Sequence, residues 1–252
     1  MRNNKLGGPR EPHFTPKKLL SLLGVKAGSL PPVALIPGPR ERSQMILGGL
    51  EDSGKAFSFL DYEVHTGTYK GKKVTIGNGG RYAADTAITT ELLCAAGVES
   101  LIRIGSCGAL QKKIRVGDLV IVTGALRGEG TTAYYVSKNF STVSHPDIVR
   151  ALTEAAKSLK IRCHLGWVYT TDALFQETPE LIDELEQQGV SCIDMVTSAF
   201  LTVAQVRNKR AGAILAVSDE CLNGTMGFRH PRFLNAEEKM VEVGLKAIHL
   251  LR

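Results

Sequence analysis

The sequence predicts a single-domain α/β fold, with a mixed, largely parallel central sheet flanked by helices. Three observations predict it. Strand-like runs alternate with segments of helical spacing from residue 32 onward. Several of the strand runs are continuously apolar, as in a sheet covered on both faces. No break in composition marks a boundary across 252 residues, of which 43% are hydrophobic and 22% charged.

Taken in order, residues 1–31 are rich in Lys, Pro and Gly with one apolar patch, LLSLLGV, and read as an N-terminal arm packing against a neighbour. The domain proper is expected over 32–252. Its strands are expected at PVALIPG, HTGTYKG, KKVTIGN, SLIRIGS, DLVIVTG, GWVYTTD and AGAILAVSD. Asp85 is placed to cap a helix through TAITTELLCAAG that stops at Gly97. Thr178-Pro179-Glu180 starts another, PELIDELEQQ, that stops at Gly189. Asn235 is expected to begin the last helix, AEEKMVEVGLKAIHLL.

Charge and cysteine content narrow the function. The net charge of +6 comes from scattered positive residues without interleaved aromatics, which argues against a nucleic-acid partner and suits small anionic substrates. Five cysteines, Cys94, Cys107, Cys163, Cys192 and Cys221, include no C-x-x-C pair, so neither a disulfide framework nor a zinc site is expected. A reducing cytoplasm is the natural compartment. No run has the length of a membrane span or the pattern of a signal peptide, so no membrane partner is expected.

In open α/β sheets, ligands sit beyond the carboxyl ends of strands. Three runs here end in chemistry: VALIPGPRER in Gly38 and Arg42, LIRIGSCG in Arg103 and Ser106, and GAILAVSDE in Ser218 and Asp219. An arginine within a buried run needs an anion. The small-residue segment Gly105-Ser106-Cys107-Gly108 reads as a turn whose N–H groups and hydroxyl approach a phosphate. The plainer readings are a surface turn for residues 38–42, a buried ion pair for Arg103 and a helix or turn cap for Asp219. The functional reading expects both guanidinium groups to converge with the hydroxyl, free of internal carboxylates.

These motifs, with GTYKG, VGDLVI, TTDALF and CIDMVTSAF, resemble the nucleoside phosphorylase family of bacterial-type purine nucleoside, uridine and methylthioadenosine phosphorylases. The resemblance runs from about residue 32 to 251. It implies a phosphate site made by Gly38, Arg42, Arg103 and Ser106, with Asp219 handling the base. It also implies a nucleoside site that includes Asp194, Met195 and Phe175, and His13 reaching the sugar of an adjacent subunit. The implied reaction is phosphorolysis of a nucleoside, purine type favoured, to free base and ribose 1-phosphate. Inorganic phosphate is then the co-substrate, with no metal or organic cofactor. The implied assembly is a homo-oligomer, dimer-based and up to a hexamer.

The chemistry suits the residue types. Phosphate must be held against a sugar that becomes oxocarbenium-like, and the departing base leaves more readily when protonated by a desolvated acid such as Asp219. The chain departs from the family pattern at Pro39-Arg40, in the loop NGGRYAAD, at Leu60 where a crossing arginine is expected, and at Val196, where a second sugar-binding carboxylate is expected. Asp194, Arg81 or Glu220 are the candidates to take over the sugar. Val196 and Leu60 also support an alternative, a non-catalytic nucleoside or phosphate binder that pairs with an active relative. A uridine phosphorylase is less favoured, because a Gln and Arg pair has no match in ALFQETPE. A nucleosidase would have no use for Arg42 and Arg103.

Overall fold

Alternation along the strands decides how the chain packs. The computed structural model describes residues 13–251, so residues 1–12 of the expected arm and residue 252 lie outside the described residues. On β1 (Val33–Pro37), Ala34 and Ile36 enter one apolar cluster while Val33 and Leu35 enter another. Helices α3 (Ala83–Ala95) and α6 (Thr197–Val206) cover the first face, and α4 (Pro146–Ser158) and α7 (Pro231–Leu250) cover the second. With both faces buried, a central strand such as β1 carries no polar side and reads as a continuous apolar run.

Parallel pairing runs through the centre, where β1 lies between β4 (Lys72–Gly77) and β5 (Ser100–Ala109), and β5 also pairs with β10 (Arg210–Glu220). Strands β6 (Leu119–Gly128), β8 (Cys163–Thr171) and β9 (Cys192–Asp194) continue from β10 and return to β5, so five strands close on themselves, while the two-residue β7 (Thr142–Val143) pairs with β6 off this ring. The remaining sheet extends from β4 through antiparallel β3 (Tyr62–Tyr69) and β2 (Glu51–Phe59). A mixed sheet with helices on both faces is the architecture expected.

Closure of the ring leaves a gap beside β5. On one edge β10 pairs with β5 along its full length, from Ser100 to Ala109. On the other, β1 pairs as far as Ile104 and β9 begins only at Gly108. Residues 105–107 therefore have no strand partner on that edge, at a point where neighbouring strands diverge and a ligand crevice is expected. The segment expected to be a turn is itself strand, because β10 holds it extended. Opposite Cys107 and Gly108, β10 shifts register between Val217 and Asp219, a bulge that re-aims the residues following Val217.

Local details confirm some boundaries and move others. Thr178 caps α5 (Pro179–Gln187), accepting from the Leu181 N–H, and Gly189 follows with φ +76°. Helix α3 starts two residues before Asp85; Asp85 lies in its first turn and accepts the Arg81 backbone N–H at 3.2 Å. Helix α7 starts at Pro231, four residues before Asn235, because His230 Nδ1 accepts the Arg232 N–H at 3.1 Å and proline suits the first helical position. In the expected arm, α1 (Pro16–Leu22) buries Leu19 and Leu20 in this chain's own core, with Leu30 beside them. Leu23 and Val25 pack against the same cluster, while Leu22 is 79% exposed.

Candidate active site

A cavity of about 570 Å³ opens at the gap beside β5, within the range of small-molecule sites. Gly38, Arg42, Arg103, Ser106, Asp194, Met195, Phe175 and Asp219 all line it. His13 does not; it is exposed at the start of the described residues, with its ring 6.4 Å from that of Phe14.

The two arginines converge as expected but are not free of internal carboxylates. Arg42, on α2 (Arg40–Leu47), pairs with Glu237 of α7 and donates from Nη1 to the Ile104 carbonyl at 3.2 Å. Arg103 donates to Gly80 O at 2.8 Å, Thr197 Oγ1 at 3.1 Å and Asp194 Oδ2 at 3.3 Å. Burial pulls its pKa down, with Asp194 opposing. The buried ion pair, the plainer reading of Arg103, is therefore present. A guanidinium has five N–H groups, and three are engaged in each case, so two remain on each to meet an anion. The internal bonds hold the forks rigid, while the carboxylates remove most of the net positive charge.

Glycines make room for this arrangement. A Cβ on Gly80 would lie 2.7 Å from Arg103 Nη1, and one on Gly108 would lie 2.6 Å from Asp219 Oδ2. Ser106, half-buried on the unpaired stretch of β5, makes no hydrogen bond through its hydroxyl among the described residues and is available to a ligand. Asp219 accepts from Ser218 Oγ at 2.6 Å and from Cys221 Sγ at 3.7 Å.

Asp194 is saturated. Thr170 Oγ1, Thr197 Oγ1, the Val196 and Thr197 N–H groups and Arg103 all donate to it. It positions Arg103 and the start of α6, and has little capacity left for a sugar hydroxyl. Glu220, another candidate for the sugar, is tied to Arg115, Asn223 and the Val116 N–H, which hold its pKa down against burial. Arg81 lines the cavity but pairs with Asp85 at 3.4 Å. Val196 is 2% exposed and presents an apolar wall. Phe175 lines the cavity and is 94% exposed.

One acidic lining residue escaped the sequence reading. Glu177 follows a short 3₁₀ turn (Leu174–Gln176), is half-buried, and engages no hydrogen-bond or ion-pair partner with its carboxyl among the described residues. Burial, then the charges of Asp219 and Asp194, push its pKa up to about 7. In sequence it is one of several polar residues ahead of a helix cap. Among the described residues no group of three His, Cys, Asp or Glu side chains could hold a metal ion.

The family model described as the phosphorylase superfamily matches residues 33–249. The chain belongs to this superfamily. A uridine phosphorylase of Thermococcus kodakarensis is 35% identical over 209 residues, covering 77% of this chain and 75% of its own. A DeoD-type purine nucleoside phosphorylase of Roseobacter denitrificans is 31% identical over 237 residues, covering 89% and 97%. The crystal structure of purine nucleoside phosphorylase from Toxoplasma gondii in complex with immucillin-H superposes with a TM-score of 0.82 at 27% identity, covering 86% of this chain and 90% of that one. The chain is thus a member of the nucleoside phosphorylase family, a class of pentosyltransferases that holds purine and uridine phosphorylases. In this family context, the cavity beside β5 is the candidate active site.

Proposed function

We propose that this protein catalyses phosphorolysis of a purine nucleoside to free base and ribose 1-phosphate, with inorganic phosphate as co-substrate and no metal or organic cofactor. The observation that carries the reading is the meeting of two buried arginines, each with unspent N–H groups, the free Ser106 hydroxyl and the Asp219 carboxylate in one cavity of nucleoside size. Gly38, Arg42, Arg103 and Ser106 hold the phosphate, whose oxygen attacks the anomeric carbon as the bond to the base breaks. Charge-assisted bonds from rigid donors position the nucleophile and place negative charge against the developing cation. Met195 lies against the sugar, and Phe175 and Asp219 meet the base.

The same reading makes the working form a cytoplasmic homo-oligomer, dimer-based and up to a hexamer, in which His13 completes a neighbour's site. Its support is the apolar mouth of the cavity, where Tyr82, Phe175, Met226 and Phe228 stand exposed. No helix among the described residues is long and apolar enough to cross a membrane.

Incubating the protein with a panel of nucleosides, with and without phosphate, and measuring free base tests the reading. Phosphate-dependent release from purine nucleosides is expected; release without phosphate would make the protein a nucleosidase. The saturation of Asp194 and the apolar Val196 favour one other outcome, a binder that retains nucleoside without cleaving it.

A further inference from the structure

We propose that the cavity selects purine 2′-deoxyribonucleosides over ribonucleosides, with Val196 setting the choice, an inference that rests on the phosphorolytic reading and narrows its substrate. The phosphate locates the sugar. Its oxygen must reach the anomeric carbon, and C2′ is bonded directly to that carbon, so the groups beside the phosphate-holding Arg103 are those nearest the 2′-position. The segment from Asp194 to Thr197 is what lies beside Arg103. The guanidinium donates from Nη2 to Asp194 Oδ2 at 3.3 Å and from Nε to Thr197 Oγ1 at 3.1 Å, and Met195 and Val196 between them line the cavity.

The polar atoms of that segment are bonded to one another and to the protein behind them. Asp194 Oδ1 receives the Thr170 hydroxyl at 2.8 Å and the Val196 N–H at 3.2 Å, and Oδ2 receives the Thr197 hydroxyl at 2.5 Å as well as Arg103. Thr170 Oγ1 also accepts the Ser198 N–H at 2.9 Å, and the Ser198 hydroxyl donates to Glu129 at 3.0 Å. The Val196 carbonyl accepts the Phe200 N–H. What faces the cavity here is hydrocarbon, from the Val196 and Ile193 side chains, each 2% exposed. With Ser106 on the phosphate, this stretch of wall keeps no side-chain acceptor for a hydroxyl proton among the described residues.

A 2′-hydroxyl is hydrogen-bonded to water before it binds. Against this wall it loses that bond and gains none, whereas a 2′-methylene sets hydrocarbon against hydrocarbon. An apolar pocket rejects an added hydroxyl by roughly tenfold to a hundredfold, so a preference of that order is expected. The unpartnered Glu177 carboxyl lines the same cavity and is the competing acceptor, so it enters the test.

Calorimetric titration of the full chain without phosphate compares adenosine, guanosine and inosine with their 2′-deoxy counterparts. The members of each pair share a base, so the ratio of dissociation constants reports the sugar alone, apart from the greater lability of deoxynucleosides toward cleavage. Binding of the deoxy member is expected to be about tenfold tighter or more. Val196→Thr keeps the shape of the wall and adds a hydroxyl, so it should narrow the ratio several-fold by tightening the ribonucleoside. Val196→Glu, where it folds, should abolish or reverse the preference. Equal binding, or tighter binding of the ribonucleoside, overturns the proposal; a ribonucleoside preference that vanishes in Glu177→Gln gives the hydroxyl to Glu177 instead. An unchanged ratio in folded Val196→Thr overturns the role of Val196. A deoxy preference in a protein that releases no base once phosphate is added leaves the proposal standing and places the failure in the phosphorolytic reading. A chain that binds none of these nucleosides overturns both.

Discussion

Replacing Asp194 with asparagine asks how much of the site is held by one buried charge. The Asp194 and Arg103 side chains are 2% and 4% exposed, so neither can turn to water when its partner is neutralised. Asparagine keeps one carbonyl oxygen for Thr170 or Thr197, but its NH₂ then faces the donors that the second carboxylate oxygen accepted. Removing one member of a buried pair costs about 3–5 kcal/mol, mainly through the uncompensated charge left behind. At ~2–4 °C per kcal/mol for a chain of this size, the melting temperature should fall by roughly 6–20 °C. Urea unfolding of Asp194→Asn beside Thr170→Val, which removes one hydrogen bond to the same carboxylate, separates charge from bonding. Since the lone Arg103 becomes an anion site, added phosphate should raise the stability of Asp194→Asn more than that of wild type. A loss under about 1 kcal/mol, no larger than that of Thr170→Val, would refute the argument that Arg103 depends on Asp194.

Other perturbations follow the same physics. Glu237→Gln releases Arg42 from its carboxylate, and calorimetric titration should show inorganic phosphate binding about tenfold tighter; unchanged affinity would place the anion away from Arg42. Gly80→Ala puts a methyl 2.7 Å from a guanidinium nitrogen that is buried and locked, and should cost ~1–3 kcal/mol in urea unfolding together with weaker phosphate binding. Glu177 contributes to stability in the opposite sense from most carboxylates. Its folded pKa lies above the unfolded one, so its stabilising contribution is complete below the ordinary carboxylate range and is lost as pH rises through about 7. Glu177→Gln should therefore be more stable than wild type at pH 8.5, by about 1–2 kcal/mol after allowance for partial exposure, with the difference fading at pH 4. Equal pH dependence of the two melting curves would count against that shift. Asp219→Asn should reduce base release far more than phosphate binding, and equal loss of both would contradict a role at the base.

The expected strands and helices were readable where period and punctuation agreed. Thr178-Pro179 before an amphipathic run and Gly189 after it mark α5 at both ends with local chemistry. Strand β2 carried no such signal, since EDSGKAFSF is almost wholly exposed at a sheet edge and has no apolar face to show. The short β9, buried along its three residues, also lacked a signal, because its place depends on closing the ring between β8 and β5. The Gly105–Gly108 segment looked like a turn because small residues usually break strands. Here they make room, with the Arg103 guanidinium lying over Gly105 and the Asp219 carboxylate over Gly108.

From sequence alone came the α/β class and the expectation that the strand ends bearing Arg42, Arg103, Ser106 and Asp219 share one cavity, because apolar period and residue type are local properties of the chain. Tertiary structure alone decided that Glu237 and Asp194 already hold the two arginines, that Asp194 has no free oxygen for a sugar, and that Glu177 stands without a partner in the same cavity. Glu237 lies 195 residues from Arg42, and Asp194 lies 91 from Arg103. Whether a charge is spent or available depends on which groups the fold brings within hydrogen-bond reach, and no local pattern encodes partners that far apart.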